Sequence, residues 1–161
     1  MNDKNKIWLS PPHISGNEKK YVNEAFDQNW IAPAGPHLDQ FEDEISRFSN
    51  GYEVAVLSSG TAAIHLSLIL LGIKKDDIVL CSSFTFSASV NPVIYQGATP
   101  VFIDSEPETW NMDPLLLERA INDCINIGKK PKAIILVHLY GYPAKLDQFL
   151  EISNKYNIPI V

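Results

Sequence analysis

Apolar positions change their spacing near residue 52. Before it they recur three and four apart. Tyr21, Val22, Ala25 and Phe26 form one set, and Leu38, Phe41, Ile45 and Phe48 form another. Each set lines one face of a helix. Ser15 and Glu18 have capping-box spacing, so the first helix is expected over 16–28. The second is expected to stop near Asn50-Gly51. Between them runs the loop Trp30-Ile31-Ala32-Pro33-Ala34-Gly35-Pro36.

Beyond this point, short apolar runs without clean alternation appear at 54–57, 78–81, 101–103, 133–137 and 158–161. Runs of this kind suit strands buried on both faces, as parallel strands are. Helical patterns separate them at 61–72, 86–96, 114–126 and 144–156, with Asp113 and Pro114 as N-cap and first residue of the third. Strand and helix in alternation predict an α/β fold, a mainly parallel sheet flanked by helices. The expected division is an N-terminal helical segment, 1–52, and the first part of an α/β domain, 53–161. The last run, Ile158-Pro159-Ile160-Val161, lacks closing turn residues, so the chain reads as the front of something longer.

With 45% apolar residues the chain can build a core, and its formal charge of −6 disfavours nucleic acid. Lys129-Lys130-Pro131-Lys132 is a short basic loop and no more. No run approaches the ~18 apolar residues of a membrane span, and Met1-Asn2-Asp3-Lys4-Asn5-Lys6 leads into no long apolar segment. No membrane partner and no secretory signal are therefore expected. Cys81 and Cys124 fall inside apolar runs, which fits buried free thiols in a reducing, cytoplasmic compartment.

The most informative run is Ser58-Ser59-Gly60-Thr61-Ala62-Ala63, between an apolar strand pattern and an apolar helix pattern. A small-residue turn opening a helix presents unpaired N–H groups and the positive end of the helix dipole, which suits a phosphate. A plain βα turn capped by Ser59 or Thr61 accounts for the same residues. Ser82 to Ser89 follows the next strand, and Phe84 or Phe86 there can stack on a flat ring or simply fill the core. Val137-His138-Leu139-Tyr140-Gly141 ends the fourth strand, where His138 reads as a base, a stacking ring or a hydrogen-bonded structural residue. Lys145 is read as a solvated helix-start lysine, and Asp104-Ser105-Glu106 as an acidic solvent turn. The four histidines show no metal-ligand spacing, so no metal is expected.

Five ordered blocks resemble the N-terminal half of the DegT/StrS sugar aminotransferases, fold-type I enzymes that use pyridoxal 5'-phosphate. They are Asn29-Trp30-Ile31-Ala32 with Gly35-Pro36, Ser58 to Leu66, Phe84 to Pro92, Pro100 to Asp104, and Val137 to Gly141. The resemblance implies the front half of the large cofactor-binding domain. It implies that backbone amides at Thr61 and Ala62 hold the cofactor phosphate, with Gly60 beside the ligand, and that Phe86 stacks on the pyridine ring. Asn29, Trp30, Ile31 and Ala32 would line the cleft for a nucleotide-sugar substrate. An amino-acid donor, glutamate in this family, and a homodimer sharing its active sites are implied as well.

Within the family, the opening Leu9-Ser10-Pro11-Pro12-His13 and the 29–33 loop are most similar to enzymes aminating the 4-keto carbon of a UDP-linked deoxy sugar, on the bacillosamine route to surface glycans. The family's ring-nitrogen carboxylate and its cofactor-binding lysine come after the position of Val161. No catalytic residue is therefore expected among 1–161, and the piece alone is expected to be inactive. Two other functions fit the same residues: a sugar dehydratase of this family, with histidine in place of that lysine, and a phosphate- or nucleotide-binding α/β module without catalysis.

Overall fold

The computed structural model describes residues 7–161, and the segment Met1 to Lys6 read above lies outside the described residues. The chain divides into two compact units, Met1–Val56 and Leu57–Val161.

The described part of the first unit holds two helices, α1 (Glu18–Asp27) and α2 (Pro36–Phe48). Half of the expected capping box forms. The Glu18 carboxylate accepts from Ser15 N–H at 2.6 Å and Gly16 N–H at 2.9 Å, but Asn17 is the N-cap, so the helix begins later than the spacing predicted. Those donors, the Ser15 amide first, hold the Glu18 carboxyl down at about 2. Pro36 opens α2, where its missing N–H costs nothing.

The second unit is an α/β layer structure. Its sheet contains β1 (Ile78–Ser82), β2 (Thr99–Ile103) and β3 (Ala133–Ile135), all parallel, in the order β2-β1-β3. Leu80 stands opposite Val101 on one side and Ile134 on the other. The helices are α3 (Gly60–Leu70), α4 (Asn91–Tyr95), α5 (Pro114–Asn126) and α6 (Leu146–Tyr156). The connection from β1 to β2 and the one from β2 to β3 run in opposite directions across the sheet. Right-handed crossovers then place α4 and α5 on opposite faces. The cores agree: Val79, Cys81 and Ala133 pack with Leu68 and Val93, whereas Ile78, Leu80 and Ile134 pack with Leu117, Ile121 and Phe149. Burial on both faces is why β1 and β3 lack alternation, whereas β2, at the sheet edge, leaves Phe102 exposed.

Three expectations need correction. Residues 54–57 form no strand: Ala55 and Leu57 are exposed, and no strand among the described residues pairs with them. An apolar run becomes a parallel strand only beside a neighbour that satisfies its backbone groups. The 86–96 helix splits into a 3-10 turn (Ser87–Ser89) and the short α4, because Pro92 has no N–H to donate back. Residues 158–161 reach only a single parallel bridge, Ile160 to Ile134, although Val161 N–H does bond the Ile134 carbonyl at 2.8 Å.

Candidate functional site

Helix α3 starts at Gly60 because Ser59 caps it. Ser59 has extended backbone, and its Oγ accepts from Ala62 N–H at 3.1 Å, while its carbonyl accepts from Ala63 N–H at 3.1 Å. The capped-turn reading is thus real. It uses up one amide of the candidate phosphate turn, that of Ala62. The amides of Gly60 and Thr61 have no hydrogen-bond partner among the described residues. A Cβ added at Gly60 would meet nothing within 4 Å, so this face of the turn is open. Two free donors, a dipole end and no obstructing side chain form an anion cradle.

The 3-10 turn at Ser87–Ser89 packs against α3, so the segment led in by Phe86 stands beside the helix that opens on the turn. Phe86 is 80% exposed and Phe84 is 47% exposed. The reading of both as core residues therefore fails. Phe84 meets the Trp110 ring edge-on at 6.1 Å, beside a hollow of ≈ 460 Å³ that Asp104 and Glu106 also line. Phe86 has no ring partner among the described residues.

The loop Asn29 to Ala32 belongs to the first unit. Asn29 turns the chain with φ 60, and Trp30 N–H bonds the Ala25 carbonyl at 2.7 Å. The Trp30 ring meets His37 edge-on at 5.4 Å, and His37 meets Tyr21 likewise at 5.3 Å. Trp30, Ala32 and His37 border a hollow of ≈ 300 Å³, while Ile31 is exposed.

Two readings of polar residues change. Glu106 is not a solvent turn: it is 4% exposed. Its carboxylate accepts from Glu108 N–H at 3.0 Å, Thr109 N–H at 2.8 Å, the Thr109 hydroxyl and Lys145 Nζ at 3.1 Å. The Thr109 hydroxyl above all, helped by these other donors, holds it down at about 2 against the opposing effect of burial. Lys145 is not free in solvent either: it is half-buried, and Nζ also lies 2.7 Å from Glu108. An amine so engaged stays charged and is a poor nucleophile. Sequence spacing gave no warning of this network. Its signal was an acidic residue followed by Thr and Asn just after a strand. Among the described residues no group of metal-ligating side chains comes together, and no helix is long and apolar enough to cross a membrane.

The DegT/DnrJ/EryC1/StrS aminotransferase family matches the chain over residues 12–161. EpsN of Bacillus subtilis (strain 168), named as a candidate pyridoxal phosphate-dependent aminotransferase, is 51% identical over 97% of this chain and 40% of EpsN. GDP-perosamine synthase of Escherichia coli O157:H7 is 39% identical, over 93% of this chain and 40% of that protein. Among solved structures, NtdA from Bacillus subtilis with bound cofactor PMP superposes with a TM-score of 0.80 at 29% identity, covering 98% of this chain and 37% of NtdA. The chain spans about 40% of the length of the curated relatives it matches.

Proposed function

This chain belongs to the DegT/DnrJ/EryC1/StrS aminotransferase family, and on that premise we propose that it supplies the phosphate-gripping, ring-covering part of a sugar aminotransferase. Pyridoxal 5'-phosphate is the cofactor of such enzymes, and its fold-type I domain matches this one. When bound, the cofactor supplies an electron sink through its protonated ring.

The observation that carries the reading is the open pair of amides at Gly60 and Thr61 on the first turn of α3. These two hold the phosphate, and the Ala62 amide is a third donor shared with Ser59 Oγ. Phe86 covers one face of the ring, which its exposure leaves it free to do. Asn29, Trp30, Ile31 and Ala32 line the nucleotide-sugar cleft. Glutamate loads the amine, and the acceptor is the 4-keto carbon of a nucleotide-linked deoxy sugar. The 29–33 loop favours a UDP sugar, and the likeness to GDP-perosamine synthase makes a GDP sugar the comparison to run. The enzyme works as a cytoplasmic homodimer.

Absorbance spectroscopy on the enzyme that contains this chain tests the proposal. Added cofactor should give a visible band, glutamate should bleach it, and a keto sugar should restore it while an amino sugar accumulates. No band would favour a binding module, and a product without nitrogen would favour a dehydratase. Running UDP- and GDP-linked acceptors side by side assigns the nucleotide.

A further inference from the structure

Two loops leave the carboxyl ends of the outer strands, 104–113 after β2 and 136–145 after β3, with the end of β1 between them. Asn111 ties one loop to the other. Its Oδ1 accepts from Leu139 N–H at 2.8 Å, and its Nδ2 donates to the Tyr142 carbonyl at 3.0 Å and to Thr109 Oγ1 at 3.1 Å. Asn111 is 2% exposed, and these bonds use both of its amide hydrogens. Thr109 is in turn fixed by Glu106, and Glu106 by Lys145, which begins the next helix.

Asn111 therefore grips both ends of the short turn at 139–142. That turn is not relaxed: Tyr140 has φ 51, a left-handed conformation that a bulky residue keeps only when its surroundings over-determine it. The turn also brings the Ala144 N–H back to His138, whose Nδ1 lies 3.0 Å away. A backbone N–H can only donate. Nδ1 must then be an acceptor, which excludes both the Nδ1–H tautomer and the doubly protonated ring while the bond holds. The one hydrogen on the ring is at Nε2, and His138 is exposed at the carboxyl edge of β3. Ligand-binding groups of parallel α/β sheets gather along that edge.

We infer that Asn111 is a positioning residue: by clamping the 139–142 turn it fixes His138 as a neutral Nε2–H donor for an acceptor oxygen of the bound sugar, and not as a base. The sugar part of this inference rests on the proposed function, whereas the clamp and the tautomer do not.

Long-range proton–nitrogen NMR correlation on nitrogen-labelled histidine reads the tautomer, at a pH about 2 units above the ordinary histidine value. The protein should show His138 in the Nε2–H form alone. Asn111→Ala should show both forms. If that variant does not fold, Asn111→Asp serves, since it keeps the acceptor for Leu139 and loses both donors. An Nδ1–H form or a mixture in the unmodified protein overturns the inference, and so does a pure Nε2–H form in a folded variant.

In the loaded enzyme, His138→Gln keeps an N–H donor and His138→Phe does not. KM for the keto sugar should rise roughly 3- to 10-fold in the Phe variant and return to near normal in the Gln variant. Equal KM in all three forms overturns the donor role. Failure to take up cofactor at all counts against the proposed function and leaves the tautomer measurement to decide the clamp.

Discussion

Glu106 Oε2 and Lys145 Nζ lie 3.1 Å apart, with the carboxylate side chain 5% exposed and the lysine side chain 34% exposed. The pair joins the loop after β2 to the start of α6, elements far apart in sequence. Breaking such a pair by removing one partner leaves a buried charge without compensation, which costs more than the intact pair contributes.

This pair predicts how stability responds to pH at both extremes. Glu106 is depressed to about 2, chiefly by the Thr109 hydroxyl, so its contribution is complete above the ordinary carboxylate range and is lost as pH falls toward that value. Lys145 is raised, first by Glu108 and then by Glu106, so its contribution is complete below the ordinary lysine value and fades as pH climbs past it. Urea midpoints measured across acid pH should fall for the unmodified protein. They should fall less steeply for Glu106→Gln, which starts lower at neutral pH. Parallel acid slopes for both proteins would refute the assignment.

The two thiols should be silent in the folded state. Cys81 is fully buried near the carboxyl end of β1 and burial pushes its thiol up to about 12, while burial, aided by Asp123, raises Cys124. Reaction requires a thiolate and access, and neither is present. A maleimide reagent should label no cysteine in native buffer and both in denaturant. Rapid labelling of Cys81 without denaturant would mean that the sheet opens.

Phe86 separates a stability role from a ligand role. Because the ring is 80% exposed, Phe86→Ala should change folding stability by no more than ~0.5 kcal/mol. Cofactor binding should weaken by ~1–3 kcal/mol if the ring stacks. Calorimetric unfolding and cofactor titration on the same preparations give both numbers. A large loss of stability with unchanged cofactor affinity would restore the core reading.

Helices with a strong local signal could be read directly. Asp113-Pro114 set the start of α5, where Asp113 Oδ1 accepts from Leu115 N–H at 2.7 Å. The β1 run was legible because Ile78 and Leu80 feed one core and Val79 and Cys81 the other. The 54–57 run misled for a non-local reason: strand formation depends on a neighbour, and spacing within one segment does not reveal whether a neighbour stands beside it. Glu106 misled for a similar one. Its carboxylate is buried because Thr109 and Lys145 satisfy it, and Lys145 lies 39 residues on. Of the candidate site, the small-residue turn was visible in the sequence, but the allocation of its amides was not, since a Ser59 side chain can cap the helix or leave that donor free.

The allocation of amides yields the sharpest test. Thr61 is the second residue of α3, within the first turn, where proline is tolerated because its N–H has no intrahelical acceptor. Thr61→Pro should therefore leave helicity and unfolding nearly unchanged while deleting one of the two amides proposed to hold the phosphate. A hydrogen bond to a charged group is worth ~1.5–3 kcal/mol, so cofactor affinity should fall about 10- to 100-fold. Gly60→Ala is the complementary change. Its Cβ meets no protein atom within 4 Å and the residue has no left-handed backbone to strain, so stability should hold or rise by ~0.4–1 kcal/mol. Affinity should nonetheless drop if the phosphate takes the open space beside Gly60, because the added methyl would crowd it. If both variants fold and bind cofactor like the unmodified protein, the phosphate is anchored elsewhere, and Ser59-Gly60-Thr61 is only the cap that starts a helix.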